Sequence, residues 1–229
     1  MSKWILVTGG AKSPGSDIAV ELAKNGFSVA IHYLSLDQAA GSVASDCEEF
    51  GVQTKTVIGD LSTVNGAREL AERVREDIGN IYGVVNCVDQ SVVGTISETS
   101  LEQAEHLFET NFFAPLALIQ ELLEGLKGQR GAVVNLGASE WFPIGGARPY
   151  YDASKHALIQ ITRSLAVELA PFGVRVNMLS LSDLSSFDTE PVVVCPAAGE
   201  TIARTTAFLM SEQAANISGQ QIKIMRGVV

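Results

Sequence analysis

The chain has 229 residues, of which 46% are hydrophobic and 18% charged. This length and composition favour one α/β domain over residues 1–229 with a large core. The formal net charge is −10 and the pI is about 4.8. Such a chain repels nucleic acids and anionic membrane surfaces in general, so no nucleic-acid or membrane partner is expected, although a local basic pocket for one phosphate remains compatible with the charge.

The cysteines and the N-terminus indicate a cytoplasmic protein. Cys47, Cys87 and Cys195 are scattered without metal-ligand spacing, so no metal site is predicted. The chain starts with the strand-like segment Trp4-Ile5-Leu6-Val7 rather than with a charged leader and an apolar run. No segment reaches about 18 uninterrupted apolar residues, which a membrane span would need.

Short β-branched runs alternate with helical patterns along the whole chain, which is typical of a parallel sheet flanked by helices. Strands are predicted at Trp4–Thr8, Ser28–His32, Thr54–Ile58, Gly83–Asn86, Ala132–Asn135, Arg175–Met178 and Gln221–Met225. Helices are predicted at about Gly15–Asn25, Asp37–Phe50, Val64–Ile78, Leu101–Leu126, Tyr150–Leu169 and Gly199–Met210. Seven strands with right-handed helical crossovers give a single-domain Rossmann fold with a doubly wound parallel sheet. Ser180–Ala198, with two prolines, is predicted as a loop at the rim.

A glycine-rich turn follows the first strand and opens the first helix, with the sequence Thr8-Gly9-Gly10-Ala11-Lys12-Ser13-Pro14-Gly15. Such a turn presents backbone amides to a pyrophosphate, although a few glycines here could also serve only as a tight connection. Lys12 adds a cation beside the ribose site, unless it is simply a solvated loop lysine. The second strand ends in His32-Tyr33-Leu34-Ser35, which offers no carboxylate to a ribose 2′-hydroxyl. NADP(H) is therefore favoured over NAD(H).

Tyr151 and Lys155 are four residues apart in a predicted helix, so they share one helix face. A nearby ammonium is expected to draw the pKa of the phenol down from about 10. The pair would then be able to protonate or deprotonate a carbonyl or alcohol oxygen during hydride transfer. The same spacing also fits an aromatic ring packed on the core beside a solvated lysine.

Together, these features resemble the short-chain dehydrogenase/reductase family from Trp4 to about Met225. The resemblance is carried by Thr8-Gly9-Gly10-Ala11, Gly59-Asp60-Leu61-Ser62, Glu109-Thr110-Asn111-Phe112 and the run from Tyr151 to Asn177. It implies that Tyr151 donates a proton, that Lys155 lowers its pKa and holds the nicotinamide ribose, and that Asn111 anchors a water.

The candidate cofactor site comprises Gly9, Lys12, Ser13, Gly15, Tyr33, Asp60, Asn86 and Lys155. Within it, the resemblance implies that Asp60 meets the adenine amine and that Asn86 lies along the cofactor. The alternatives are structural: Asn86 and Asn111 as buried amides that bridge backbone groups, and Asp60 as a helix cap.

Several positions depart from the family pattern. The partner hydroxyl expected thirteen residues before the tyrosine is replaced by Ala138, so Ser139 would supply it only if the loop is shifted by one residue. Without that shift, one hydrogen bond to the transition state is absent. In the glycine turn, Ser13 replaces a glycine and could compensate through its hydroxyl, Pro14 has no amide hydrogen, and Asp17 competes with phosphate for the helix end.

A further acid enters the cofactor cleft after the fourth strand. The family's Asn-Asn-Ala-Gly segment is here Asn86-Cys87-Val88-Asp89, so Asp89 replaces a glycine. These changes all line the cleft, so weakened or absent cofactor binding has to be weighed.

The sequence therefore predicts an NADP(H)-dependent reductase of a ketone or imine-like group on a small or carrier-bound substrate. Two alternatives stay open: a non-redox enzyme that catalyses dehydration or cyclisation and needs no nicotinamide, and a catalytically silent homologue that serves as a binding or assembly subunit. The resemblance also implies a homodimer through the helices at Leu101–Leu126 and Tyr150–Leu169, or a homotetramer through the last strand.

Overall fold

A computed structural model describes residues 2–35, 37–138, 148–182 and 198–225. One sheet of seven parallel strands runs in the order β3-β2-β1-β4-β5-β6-β7. The strands are β1 (Trp4–Val7), β2 (Ser28–Tyr33), β3 (Thr54–Ile58), β4 (Gly83–Asn86), β5 (Ala132–Ala138), β6 (Arg175–Ser182) and β7 (Gln221–Met225). The helices are α1 (Gly15–Lys24), α2 (Asp37–Glu48), α3 (Val64–Asp77), α4 (Leu101–Phe108), α5 (Ala114–Glu121), α6 (Leu123–Gln129), α7 (Pro149–Leu169) and α8 (Ala198–Met210). The predicted doubly wound fold is confirmed.

Both faces of the sheet are covered, which explains the continuous apolar runs of its strands. In β1, Ile5 and Val7 pack into one core layer with α1, α2 and α8, whereas Leu6 packs into the opposite layer with α3, α5 and α7. Successive side chains of a strand point to opposite faces, so a strand between two helical layers needs apolar residues at every position. The sheet therefore gives the residues at its edge a rigid support.

The end of the sheet differs from prediction at β5 and β6, which are longer than expected. Their pairing continues through Leu136↔Leu179 and Gly137↔Ser180 to Ala138↔Leu181. The assignment of Ser180–Ser182 to a loop was therefore wrong, because these residues pair as strand. Residues 183–197 lie outside the described part of the chain.

The single long helix predicted at Leu101–Leu126 was also wrong. The structure interrupts it with a π-helical turn at Glu109–Phe113 and again at Leu122. Pro115 has no N–H group, so it cannot donate the ordinary helical hydrogen bond to the carbonyl of Asn111. The wider π turn accommodates this defect, and it contains Asn111, one of the predicted site residues.

The strand order reverses between β1 and β4, and their carboxyl ends open the crevice that doubly wound sheets use for ligands. Thr8, directly after β1, accepts hydrogen bonds at Oγ1 from the backbone N–H groups of Cys87 (2.8 Å) and Val88 (3.2 Å). The two segments that follow β1 and β4 are thereby tied together at the floor of the crevice. In the described part of the chain, no helix is long and apolar enough to span a membrane.

Candidate active site

Helix α7 places the predicted Tyr151 and Lys155 side by side at the rim of this crevice. Tyr151 is 6% and Lys155 2% exposed, and the Lys155 Nζ lies 5.8 Å from the centre of the Tyr151 ring. The Lys155 stem runs past the end of β5, since a Cβ built on Gly137 would lie 3.9 Å from its Cδ. The two side chains are therefore buried together, and neither is a solvated surface group.

Asp89 connects the two. Its Oδ2 accepts a hydrogen bond of 3.0 Å from the Tyr151 hydroxyl, and its Oδ1 lies 2.7 Å from the Lys155 Nζ. The sequence showed Asp89 only as an acid in place of a glycine. Its contact with Tyr151 joins residues 62 positions apart, so only the folded chain reveals it.

The acidity of Tyr151 is opposite to the expectation. Burial of the phenol raises its pKa above the ordinary value, and the negative charge and hydrogen bond of Asp89 raise it further. Arg148, whose guanidinium carbon lies 5.2 Å from the ring centre, acts in the lowering direction but does not outweigh them. Without ligands, the structure therefore holds Tyr151 as a neutral phenol.

Asn111 fastens the segment after β4 to this pair. Its Oδ1 accepts a hydrogen bond from the Gln90 N–H (2.9 Å), while its Nδ2 donates to the Gln90 carbonyl (2.8 Å) and to the Ser154 hydroxyl (3.1 Å). The Ser154 hydroxyl in turn donates to the Tyr151 carbonyl. This is the bridging role that was weighed as the structural alternative for Asn111, and its part in holding a water stays a prediction.

The glycine turn is built around close backbone contacts. Gly9 has a φ of +64°, in the region that favours glycine. A Cβ on Gly15 would overlap the carbonyl oxygen of Gly9. The turn therefore brings the chain back on itself at the start of α1, as a pyrophosphate cradle requires.

A buried histidine that the sequence did not single out holds this turn in place. The Gly9 N–H donates to Nδ1 of His32 (3.0 Å), so Nε2 carries the proton and donates to the Gly59 carbonyl (3.1 Å). Burial lowers the pKa of His32 to about 4. His32 thus links the ends of β1, β2 and β3 as a neutral ring. Its one sequence signal was an imidazole directly after the apolar run Val29-Ala30-Ile31.

Asp17 places a carboxylate in the first turn of α1. The Ser13 hydroxyl donates to Oδ2 of Asp17 (2.6 Å), and a Cβ on Gly199 would lie 2.8 Å from that same oxygen. The Ser13 hydroxyl is therefore engaged with Asp17, and its hydrogen bond to a phosphate stays a prediction.

Beside the turn, a pocket of about 200 Å³ opens between the ends of β1 and β2. Among the described residues its lining includes Lys12, His32, Tyr33, Ser35 and Val88, and none of the described lining residues carries a carboxylate. Lys12 and Tyr33, both predicted cofactor residues, are brought together here. One cationic residue and two hydroxyl-bearing residues therefore contribute to the wall of this pocket.

Asp60 and Asn86 have clear structural contacts. Asp60 accepts a hydrogen bond from the Ser62 N–H (2.9 Å), which lowers its pKa, and Thr63 rather than Asp60 caps α3. Asn86, the last residue of β4, is buried, and its Nδ2 donates a hydrogen bond to Oδ1 of Asn135 on β5 (2.8 Å). Among the described residues, Asn86 Oδ1 is the one buried side-chain oxygen or nitrogen without a hydrogen-bond partner, so it can accept one from a ligand or a water.

Two further predictions concern the loop after β5 and metal binding. Ser139 lies outside the described residues, while Ala138 is the last residue of β5. Within the described ranges, no group of three or more acidic, histidine or cysteine side chains could hold a metal ion.

Comparison with known proteins agrees with this architecture. The chain is 26% identical over 242 residues to the 3-oxoacyl-[acyl-carrier-protein] reductase FabG of Staphylococcus epidermidis, covering 100% of this chain and 99% of the relative. It superimposes on acetoin dehydrogenase YohF of Salmonella typhimurium with a TM-score of 0.89 and 26% identity, covering 100% and 97% of the two chains. It superimposes on landomycin C-6 ketoreductase LanV, a structure with bound NADP and rabelomycin, with a TM-score of 0.87 and 26% identity, covering 99% and 96%. Residues 3–190 match the sequence profile of the short chain dehydrogenase family, and the chain belongs to that family.

Proposed function

We propose that the protein is an NADP(H)-dependent oxidoreductase that reduces a ketone or imine-like group on a small or carrier-bound substrate, with Tyr151 as the proton donor. The observation that carries the proposal is the buried Tyr151–Lys155 pair, one helical turn apart at the crevice between β1 and β4. A phenol beside an ammonium is suited to give a proton to an oxygen that becomes negative.

Features at the other end of the crevice support the choice of NADP(H). Lys12, Tyr33 and Ser35 line a pocket whose described residues carry no carboxylate, so a 2′-phosphate would meet a cation there. The cradle formed by Gly9 and Gly15 fits a pyrophosphate, and the superimposed LanV structure contains NADP. FabG, named as a reductase of an acyl-carrier-protein substrate, gives a precedent within the family for a carrier-bound ketone.

In this proposal, each side chain of the pair has a separate task. The nicotinamide, when bound, supplies the hydride. Tyr151 donates its phenolic proton to the substrate oxygen or nitrogen, and Lys155, fixed by burial, stabilises the phenolate that remains and holds the ribose hydroxyls. The Asp89 side chain, which contacts both members of the pair, is 47% exposed.

The test is a titration of NADPH into the purified protein, followed by its fluorescence, together with turnover of a ketone panel. Tyr151→Phe is expected to keep NADPH binding and to lose about a hundredfold or more in turnover. Tyr150→Phe is the matched control, since it removes a neighbouring phenol on the same helix and should leave turnover unchanged. Equal turnover in Tyr151→Phe and the wild type would exclude the proposed mechanism.

A second candidate is favoured by the two carboxylates that face the cofactor cleft. Asp89 binds Lys155, and Asp17 binds Ser13, so internal acids engage two residues predicted to contact the cofactor. Both contacts are compatible with a non-redox enzyme or a silent binding subunit that has the same fold. Absence of NADPH binding at millimolar concentration would favour this candidate over the reductase.

A further inference from the structure

The hydrogen bond between Tyr151 and Asp89 engages the single proton of the Tyr151 hydroxyl. A phenol carries one O–H proton, and in this structure the Tyr151 hydroxyl donates it to Oδ2 of Asp89. A substrate oxygen that needs the same proton therefore competes with Asp89. The same carboxylate also engages Lys155 through its other oxygen.

The backbone on either side of Asp89 is firmly held. The Val88 N–H donates to Oγ1 of Thr8, and both backbone groups of Gln90 bond the amide of Asn111. Asp89 is thus clamped between two anchored neighbours, and its side chain has only two rotatable bonds. Movement of the carboxylate away from Tyr151 requires a rotamer change and not a loop displacement.

The exposed fractions of the Asp89 and Lys155 side chains indicate which of the two can move towards solvent. The Asp89 side chain is 47% exposed, whereas that of Lys155 is 2% exposed. The buried ammonium cannot follow the carboxylate outward, but the carboxylate can turn into the open crevice. Such a turn releases the phenol and the ammonium in one step.

We propose that Asp89 is a positioning residue that holds Tyr151 and Lys155 in a resting arrangement, and that proton donation by Tyr151 begins only after this carboxylate has left the phenol. The inference rests on the proposed reductase function, which it deepens by assigning a control on the proton donor. It concerns a residue whose position the family pattern gives to glycine.

The chemistry of reduction predicts that Asp89 opposes proton donation by Tyr151. Hydride adds to the carbonyl carbon, the electron pair of the C=O π bond moves to oxygen, and that oxygen takes the Tyr151 proton, which leaves a phenolate. With Asp89 still in contact, this phenolate would be a second anion beside an existing carboxylate, which is unfavourable. Asp89 therefore opposes proton transfer both before and after it occurs.

The other charged groups around Tyr151 provide a control. Lys155 and Arg148 are cations near the ring, while Asp152 is a second carboxylate, which raises the pKa of Tyr151 through its charge alone. Asp152→Asn thus removes an equal charge from the same surroundings without breaking a hydrogen bond to the phenol. Asp89→Asn removes the charge of the residue that contacts the phenol, and with it the ion pair to Lys155, whereas Asp89→Gly removes the hydrogen-bond acceptor as well.

The first measurement uses the cofactor-free protein and follows phenolate absorbance against pH, with Tyr151→Phe variants subtracted to isolate Tyr151. In Asp89→Asn, the ionisation constant of Tyr151 is expected to rise about tenfold or more relative to the wild type, whereas Asp152→Asn should change it by less. An unchanged Tyr151 titration in Asp89→Asn would overturn the proposal.

The second measurement is the single-turnover rate of ketone reduction with bound NADPH. Asp89→Gly is expected to react about tenfold faster than the wild type, since substrate no longer competes for the proton. Asp89→Asn is also expected to react faster than the wild type, because the phenolate no longer forms beside a second anion. A fall of both variants to the rate of Tyr151→Phe would overturn the proposal, because Asp89 would then be required for donation. Thermal unfolding of each variant verifies the fold, and Asp89→Ser replaces any variant that fails to fold.

A failure of the proposed reductase function can be distinguished from a failure of the role proposed for Asp89. If neither the wild type nor Asp89→Gly binds NADPH, the reductase assignment fails. The titration of Tyr151 in the cofactor-free protein still decides whether Asp89 controls the phenol.

Discussion

The Ser13 hydroxyl donates a 2.6 Å hydrogen bond to the carboxylate of Asp17, one turn further along at the start of α1. This contact places a negative charge at the positive end of the helix, where a pyrophosphate would otherwise have the full benefit of the helix dipole. It also engages the hydroxyl that replaces a glycine of the family pattern. We therefore expect the Asp17 carboxylate to weaken the binding of a pyrophosphate at this end of α1.

Asp17→Asn is expected to bind NADPH about three- to tenfold more tightly than the wild type, because one repulsive charge is removed from the phosphate site. Glu21→Gln is the matched control: Glu21 lies one turn further along α1 and pairs with Lys24, so its loss should change affinity little. NADPH fluorescence titrations at low and high salt measure the effect, which should shrink at high salt. Equal affinities of Asp17→Asn and the wild type at low salt would contradict this account.

The pocket beside Lys12 makes a prediction about cofactor choice. Ser35→Asp introduces a carboxylate into a lining whose described residues carry none, so NADPH is expected to bind about tenfold or more weakly while NADH loses little. Ser35→Asn has a similar size and no charge, and it should keep the preference for NADPH. Parallel titrations of both nucleotides give the ratio. A similar loss for NADPH and NADH in Ser35→Asp would mean that the 2′-phosphate binds elsewhere.

Gly15 is predicted to be intolerant of any side chain. A Cβ there would overlap the Gly9 carbonyl, so Gly15→Ala should destabilise the fold by about 1–3 kcal/mol and open the turn. Gly41 in α2 is the control, because a Cβ there meets no atom within 4 Å. Gly41→Ala should stabilise the protein by about 0.5–1 kcal/mol through helix propensity. Chemical denaturation measures both, and the prediction fails if the two variants shift stability in the same direction.

The sequence predicted those parts of the molecule that depend on local pattern. Strand β1 and the turn up to Gly15 follow from a run of apolar residues and a group of glycines, and α7 follows from helical periodicity with Pro149 at its first turn. The break before α5 was missed although Pro115 signalled it, because apolar periodicity continues across the π turn. Local signals of this kind fix elements but not the contacts between them.

The contacts that decide the chemistry join distant segments. Asp89 meets Tyr151 across 62 positions, and His32 meets Gly9 across 23. No fixed spacing in the sequence predicts either contact, because the order of the strands and the path of each loop determine which residues meet. The pKa of Tyr151 accordingly could not be inferred from its helical neighbour Lys155, because the largest influences are burial and a carboxylate from another loop.

Val167 on α7 gives a test of assembly. It is 77% exposed, and α7 is one of the helices through which a homodimer is expected. Val167→Lys should weaken that dimer, because each subunit would bring a charge to an apolar contact. Ile58→Lys at the end of β3 is the control, because Ile58 is 47% exposed on an edge strand that is separated from β5 and β6, the strands next to α7, by three other strands. Light scattering after gel filtration measures the mass, and an unchanged mass for Val167→Lys would place the contact elsewhere.

His32 predicts how stability depends on pH. Its pKa is about 4 in the folded protein against an ordinary value of 6.5, so the unfolded chain binds more protons between these values. The stabilisation is therefore fully present above pH 6.5 and is lost as the pH falls towards 4. The difference corresponds to about 3 kcal/mol at most.

His32→Gln tests this dependence, because glutamine keeps one donor and one acceptor for Gly59 and Gly9 but does not titrate. Urea denaturation between pH 4 and pH 7 should show a fall in the free energy of unfolding for the wild type and a flatter curve for His32→Gln. His156, which lies exposed on α7, is the control position, and His156→Gln should retain the wild-type slope. Parallel curves for the wild type and His32→Gln would show that His32 is not the group that links acid to unfolding. A flatter curve for His32→Gln alone would tie the acid sensitivity of the fold to the ring that holds the glycine turn.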